Sequence, residues 1–151
     1  MKATVKKIGI ILWVALMATA CSNPPSKAER DFNNIKEDVF VQHDELMKDM
    51  STVSRLIQQL KPKVDAGQND TVDYKRALER LKKSHSMMMG WMHTFDKRFP
   101  DINDESKTYS DEEFKQRTER MKGMQNILSE VEDQVNRSIT YAQSLLGDGE
   151  N

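Results

Sequence analysis

Apolar positions recur at steps of three and four along three long stretches of the chain, which is the period of an amphipathic helix. The first stretch runs Phe32, Ile35, Val39, His43, Leu46, Met50, Val53, Ile57, Leu60, and the second Tyr74, Leu78, Leu81, His85, Met88, Met92, Phe95, Phe99. The third carries Phe114, Met121, Met124, Leu128, Val131, Val135, Ile139, Ala142 and Leu145. Boundary signals fit these runs. Ser26 with Glu29, and Ser110 with Glu113, have the spacing of capping boxes, in which a hydroxyl and a carboxylate satisfy backbone donors at a helix start. Lys61-Pro62 predicts the end of the first helix, 66–70 is turn-rich, and Asp70 or Thr71 is placed to cap the second. Pro100 predicts the end of the second helix, and Gly147 fits a cap on the third. The expected fold is therefore all-α, an elongated antiparallel three-helix bundle of coiled-coil character over 28–147, with a frayed tail at 148–151. Near-heptad spacing also suits a hairpin that dimerises, so monomer and homodimer both fit the pattern.

Ahead of the first helix stand Lys2, Lys6 and Lys7, followed by thirteen uncharged residues from Ile8 to Ala20 and then Cys21. This order is that of a secretory signal peptide over 1–20. As a helix, thirteen residues reach only about 20 Å, short of a hydrocarbon core of about 30 Å. The stretch Leu16-Met17-Ala18-Thr19-Ala20-Cys21 resembles the lipobox of bacterial lipoproteins. That resemblance implies cleavage before Cys21, lipidation of its thiol and a tether over 21–27, so that the partner membrane is held through the N-terminal lipid. Ser22 after the cysteine implies, by the same resemblance, sorting to the outer membrane, and the lack of an acidic run over 22–26 implies its periplasmic face. His-Asp-Glu-Leu-Met at 43–47 and Met-Met-Gly-Trp-Met at 88–92 resemble small helical lipoproteins of Bacteroidota, a likeness that implies no particular activity.

Charge and cysteine usage narrow the function classes. The 151 residues hold 23 Lys+Arg against 24 Asp+Glu, a net charge of -1. Cleavage after Ala20 would take three lysines and no acid, leaving a mature chain at about -4. Nothing here supplies the basic face that nucleic acid requires. A single cysteine excludes an internal disulfide and every multi-cysteine zinc pattern. No glycine-rich phosphate loop or GxSxG stands in the chain, and His43-Asp44-Glu45 lacks the second histidine of HExxH. The expected protein is not an enzyme.

One feature suggests chemistry. Ten methionines are present; two, Met1 and Met17, lie in the leader, and the rest are Met47, Met50, Met87, Met88, Met89, Met92, Met121 and Met124. Levelling Leu60 with Thr71 brings His43 and Met47 within a turn of His85 and Met88. Levelling Phe99 with Ser110 sets Met121 opposite Met88 and Met124 opposite His85. The expected result is one layer of thioethers and two imidazoles. Soft thioethers with imidazole select Cu(I) over oxygen-seeking ions, so the candidate metal ligands are His43, Met47, His85, Met88, Met92, Met121 and Met124. In ligand type, though not in fold, the set resembles the His/Met/Trp sites of periplasmic copper chaperones, with Trp91 placed to cover a cation. A haem held by His and Met, as in bundle cytochromes, uses the same ligands. Against both stands Met as a flexible core filler, or as a groove for an apolar envelope protein partner, which would leave a lipid-tethered interaction or spacer protein without cofactor. Gly90, inside the second helix, is expected to permit close helix approach.

Overall fold

The computed structural model describes residues 24–67 and 71–147, a set of three α-helices: α1 (Lys27–Asp65), α2 (Thr71–Arg98) and α3 (Asp111–Gly147). The segment read as a signal peptide and lipobox ending at Cys21, the expected cap at Asp70 and the expected tail at 148–151 lie outside the described residues. Each helix packs against the other two, which makes an all-α three-helix bundle with no strand among the described residues. Among them, no helix is long and apolar enough to cross a membrane.

The helix starts follow their sequence signals. Ser26 Oγ accepts from the Glu29 N–H at 3.1 Å. At α3 the capping box is reciprocal: the Ser110 N–H donates to Glu113 Oε2 at 2.8 Å, and the Glu113 N–H to Ser110 Oγ at 3.3 Å. The Ser110 N–H, joined by the Ser110 hydroxyl donating to the same Oε2 at 2.8 Å, pulls the Glu113 carboxyl below its usual range. The expected stop at Lys61-Pro62 is overturned, since α1 continues to Asp65 with Pro62 inside it. A proline forfeits its own N–H bond and clashes with the preceding turn, but its carbonyl still accepts from the Ala66 N–H at 2.9 Å. The chain turns only at Gly67, whose φ of 63° is one that side-chain-bearing residues rarely adopt.

Register follows from paired side chains. Phe40 meets Phe95 and His43 meets Trp91, so α1 and α2 run antiparallel, about one turn from the expected alignment. Ser84 meets Ser138 across α2 and α3, and Phe32 meets Phe114 across α1 and α3. The 39-residue α1 and 37-residue α3 overhang the 28-residue α2 at its C-terminal end. The 99–110 connection fills the space above α2. There Asp101 joins Arg117 of α3 at 3.0 Å, and Tyr109 donates to Asp101 Oδ2 at 2.5 Å. The guanidinium of Arg117 also lies over the rings of Phe32, Phe99 and Tyr109 at 5.1, 5.6 and 4.2 Å. Arg117 and Thr118 occupy the buried step that the third apolar run leaves empty between Phe114 and Met121.

Most of the apolar seams form the core: Val39, Val53, Leu60, Leu81, Leu128, Val131 and Val135 are essentially inaccessible. Four places depart from expectation. Leu56, Trp91 and Ser138 are buried while their seam neighbours Ile57, Met92 and Ile139 are only partly so, and Ser84 takes the inward place expected of His85. At that height Ser84 Oγ and Ser138 Oγ are 3.0 Å apart, a helix approach too close for an imidazole between them.

Candidate functional site

Rotation of α2 by one residue decides what the methionine-rich layer becomes. With Ser84, Met88 and Trp91 turned inward, His85, Met89 and Met92 fall along the side of α2 that borders α1. On α1, Met50 is buried and Met47 stands 40% exposed. Together Met47, Met50, Ser51, Ser54, His85, Met88, Met89 and Met92 line one open trough of about 350 Å³. Its floor is Met50 and Met88, Met92 is half-buried, and its rim is Met47 and Met89, the latter 51% exposed. Beyond His85 it continues past Ser54 toward Ile57, Gln58 and Lys82.

Five thioethers and one imidazole thus share a solvent-open surface. Among the described residues no carboxylate lines it. The hydroxyls are engaged locally, Ser51 donating to the Lys48 carbonyl at 2.6 Å and Ser54 to the Met50 carbonyl at 3.1 Å. Nor do three His, Cys, Asp or Glu side chains gather anywhere among the described residues as a hard-metal cluster would require. The donors on offer are soft, suited to a low-coordinate Cu(I) ion that uses two to four of them.

The remaining expected ligands are placed elsewhere. His43 stands beside the trough, not in it: its ring stacks on Trp91 at 5.5 Å and lines a cleft of about 180 Å³ with Phe40, Met92, Phe95 and Asp96. Its Nδ1 lies 3.1 Å from the exposed Asp44 carboxylate. Only Met92 borders both spaces. Met121 and Met124 are wholly buried in the core and do not reach the trough. The expected pairing of Met124 with His85 fails because α3 overhangs α2, which moves Met124 to the height of Trp91.

Trp91 is not free to cover a cation in the trough. It is 5% exposed, sandwiched between His43 and Phe95 at 5.5 and 5.1 Å, and its indole N–H donates to the Met124 carbonyl at 2.8 Å. The bundle interior at this height is filled by Met88, Trp91, Met121 and Met124, and His43 and His85 open onto different spaces. That packing does not fit a haem plane held between two axial ligands. Gly90 permits no close approach either, because a Cβ there would meet nothing within 4 Å.

The expected layer included Met50 and Met89, but the expected ligand set left them out, and the expected core left out Ser84 and Arg117. For Arg117 a signal existed, the missing apolar step before Met121. The place of Met89 on the trough depends on how α2 is rotated.

Compared with protein-family models, curated proteins and solved structures, the chain matches none of them.

Proposed function

We propose that this chain is a lipid-tethered, non-catalytic helical bundle of the bacterial envelope, facing the periplasm from the outer membrane, that holds Cu(I) in the α1–α2 trough. The observation that carries the metal reading is the convergence of Met47, Met50, Met88, Met89, Met92 and His85 on one open surface with no carboxylate among its described lining residues. Core filling accounts for Met121 and Met124, which are fully enclosed, but not for methionines left 40% and 51% exposed. Thioethers bind Cu(I) whatever the pH, and the imidazole contributes only when neutral. The tether rests on the resemblance of the segment ending at Cys21 to a lipobox.

Competition against a Cu(I)-specific chelator under anaerobic conditions tests the metal reading. The variants are wild type, His85→Ala and Met47→Leu/Met89→Leu. The double variant keeps volume and apolarity while deleting sulfur at exposed positions, so its melting should match wild type. We expect submicromolar binding by wild type, weakened at least about tenfold in each variant. Trp91, which follows the leader's Trp13 as the only other tryptophan, should report loading through its emission. Equal affinities in all three proteins, or wild-type binding weaker than micromolar, would refute the metal reading. The exposed Met47 and Met89 would then favour a groove for an apolar envelope partner. Intact mass of the envelope-extracted protein tests the tether, which requires acyl chains on Cys21.

A further inference from the structure

We infer that a second site, the cleft between α2 and α3 lined by Arg80, Lys83, Gln134, Arg137 and Ser138, binds a phosphate group. The cleft measures about 270 Å³, just under the span that holds drug-sized ligands, so it suits a free phosphate or a small phosphomonoester. Three cationic side chains converge on it, and no carboxylate is among its described lining residues.

The cations are held with little neutralisation. The Arg80 guanidinium rests over the Tyr141 ring at 4.5 Å, anchored by a ring face and not by an acid. Tyr141 is itself fixed, its hydroxyl donating to Asp73 at 3.1 Å. Lys83 makes no ion pair among the described residues. Arg137 faces Asp133 at 3.6 Å, but both side chains are about two-thirds or more exposed, where such a pair is weak and screened. In a chain of net charge -1, three cations and one marginal carboxylate make a local excess of positive charge. A phosphomonoester carries about -1.5 to -2 near neutral pH, which complements that excess.

The back of the cleft is polar where a helix seam would ordinarily be hydrocarbon. Ser84 and Ser138 are fully buried, Ser84 Oγ lies 3.0 Å from Ser138 Oγ, and Gln134 Nε2 donates to Ser138 Oγ at 3.0 Å. The two hydroxyls are spent on the Arg80 and Gln134 carbonyls, at 3.1 and 2.7 Å, so the two guanidinium forks and the ammonium supply the hydrogen bonds of an oxyanion entering the cleft.

Titration of the full chain in non-ionic detergent with inorganic phosphate, followed by calorimetry at constant ionic strength, tests the assignment. Wild type should saturate below about 10 mM, and Lys83→Gln/Arg137→Gln should bind at least about tenfold more weakly. Both substituted side chains are exposed, so circular dichroism should show the same fold and melting in the variant. Lys122→Gln, paired with Glu119 on the same helix and outside the cleft, should leave binding unchanged. Adding phosphatidylglycerol to the micelles distinguishes the source. Displacement of phosphate through the same residues names a lipid headgroup as occupant, and failure to displace it names a soluble phosphate; either result supports the site. Binding that does not saturate, or that is equal in wild type and Lys83→Gln/Arg137→Gln, would overturn it.

Discussion

Replacing Asp101 by Asn probes how the connection above α2 is held. The Arg117 side chain is 7% exposed and that of Asp101 21%, with 3.0 Å between Nη2 and Oδ1. At an effective dielectric near 20, opposite charges about 4 Å apart attract by roughly 4 kcal/mol. Solvent at the Asp101 edge reduces this, and the Asn oxygen still accepts a bond, so a net loss of about 2–3 kcal/mol is expected. The loss arises because Arg117 stays charged in its enclosure of three rings, with Nε already lacking a hydrogen-bond partner. Arg117→Met should cost less, about 1 kcal/mol, because it removes the buried cation and leaves Asp101 with Tyr109 and water. For a bundle of this size the first change should lower Tm by about 8–12 °C and the second by about 4 °C. Urea unfolding followed by circular dichroism would give both free energies, and the double variant should be no less stable than Asp101→Asn alone. If Arg117→Met proved the more damaging, or Asp101→Asn melted with wild type, the ion pair would not be what fixes the connection.

Three further outcomes follow. The stability gap between wild type and Asp101→Asn should be full near neutrality and close as pH falls. The Tyr109 hydroxyl first, and the Arg117 hydrogen bond and charge besides, hold the folded Asp101 carboxyl below its ordinary 3.8, so its contribution is present above that value and lost as pH falls through the folded one. At the alkaline end burial, reinforced by the Asp101 hydrogen bond, raises Tyr109 above 10.0; its contribution is present below that value and fades as pH rises through the folded one, a loss absent from Tyr109→Phe in urea melts. Separately, Gly90→Ala should raise stability by about 0.5–1 kcal/mol in the same assay, since the site is helical and open; a loss would mean that the added methyl meets something.

Helix identity, number and starts were legible in the sequence because they are local properties. A period of three and four residues, a hydroxyl three residues before a carboxylate, and the turn-rich stretch around Gly67 act within one or two turns of chain. The same reasoning fixed most core residues, Val39, Leu81, Leu128 and Val135 among them. It also identified an unusual concentration of methionine and histidine, with Met47, His85, Met88 and Met92 indeed sharing one surface. What it could not supply was the relative height and rotation of the helices. A choice between Ser84 and His85 as the inward residue is about 100° of rotation, nearly neutral in hydrophobic periodicity, and it was settled by the close contact of Ser84 with Ser138. The overhang of α1 and α3 beyond α2, stabilised by Phe32 on Phe114 and by Arg117 on Asp101, slid Met121 and Met124 into the core and His43 onto Trp91. Periodicity encodes which face of a helix is apolar, but height and rotation are shared properties of packed surfaces, so only the tertiary structure could turn a predicted layer of ligands into one open trough and a separate buried cluster.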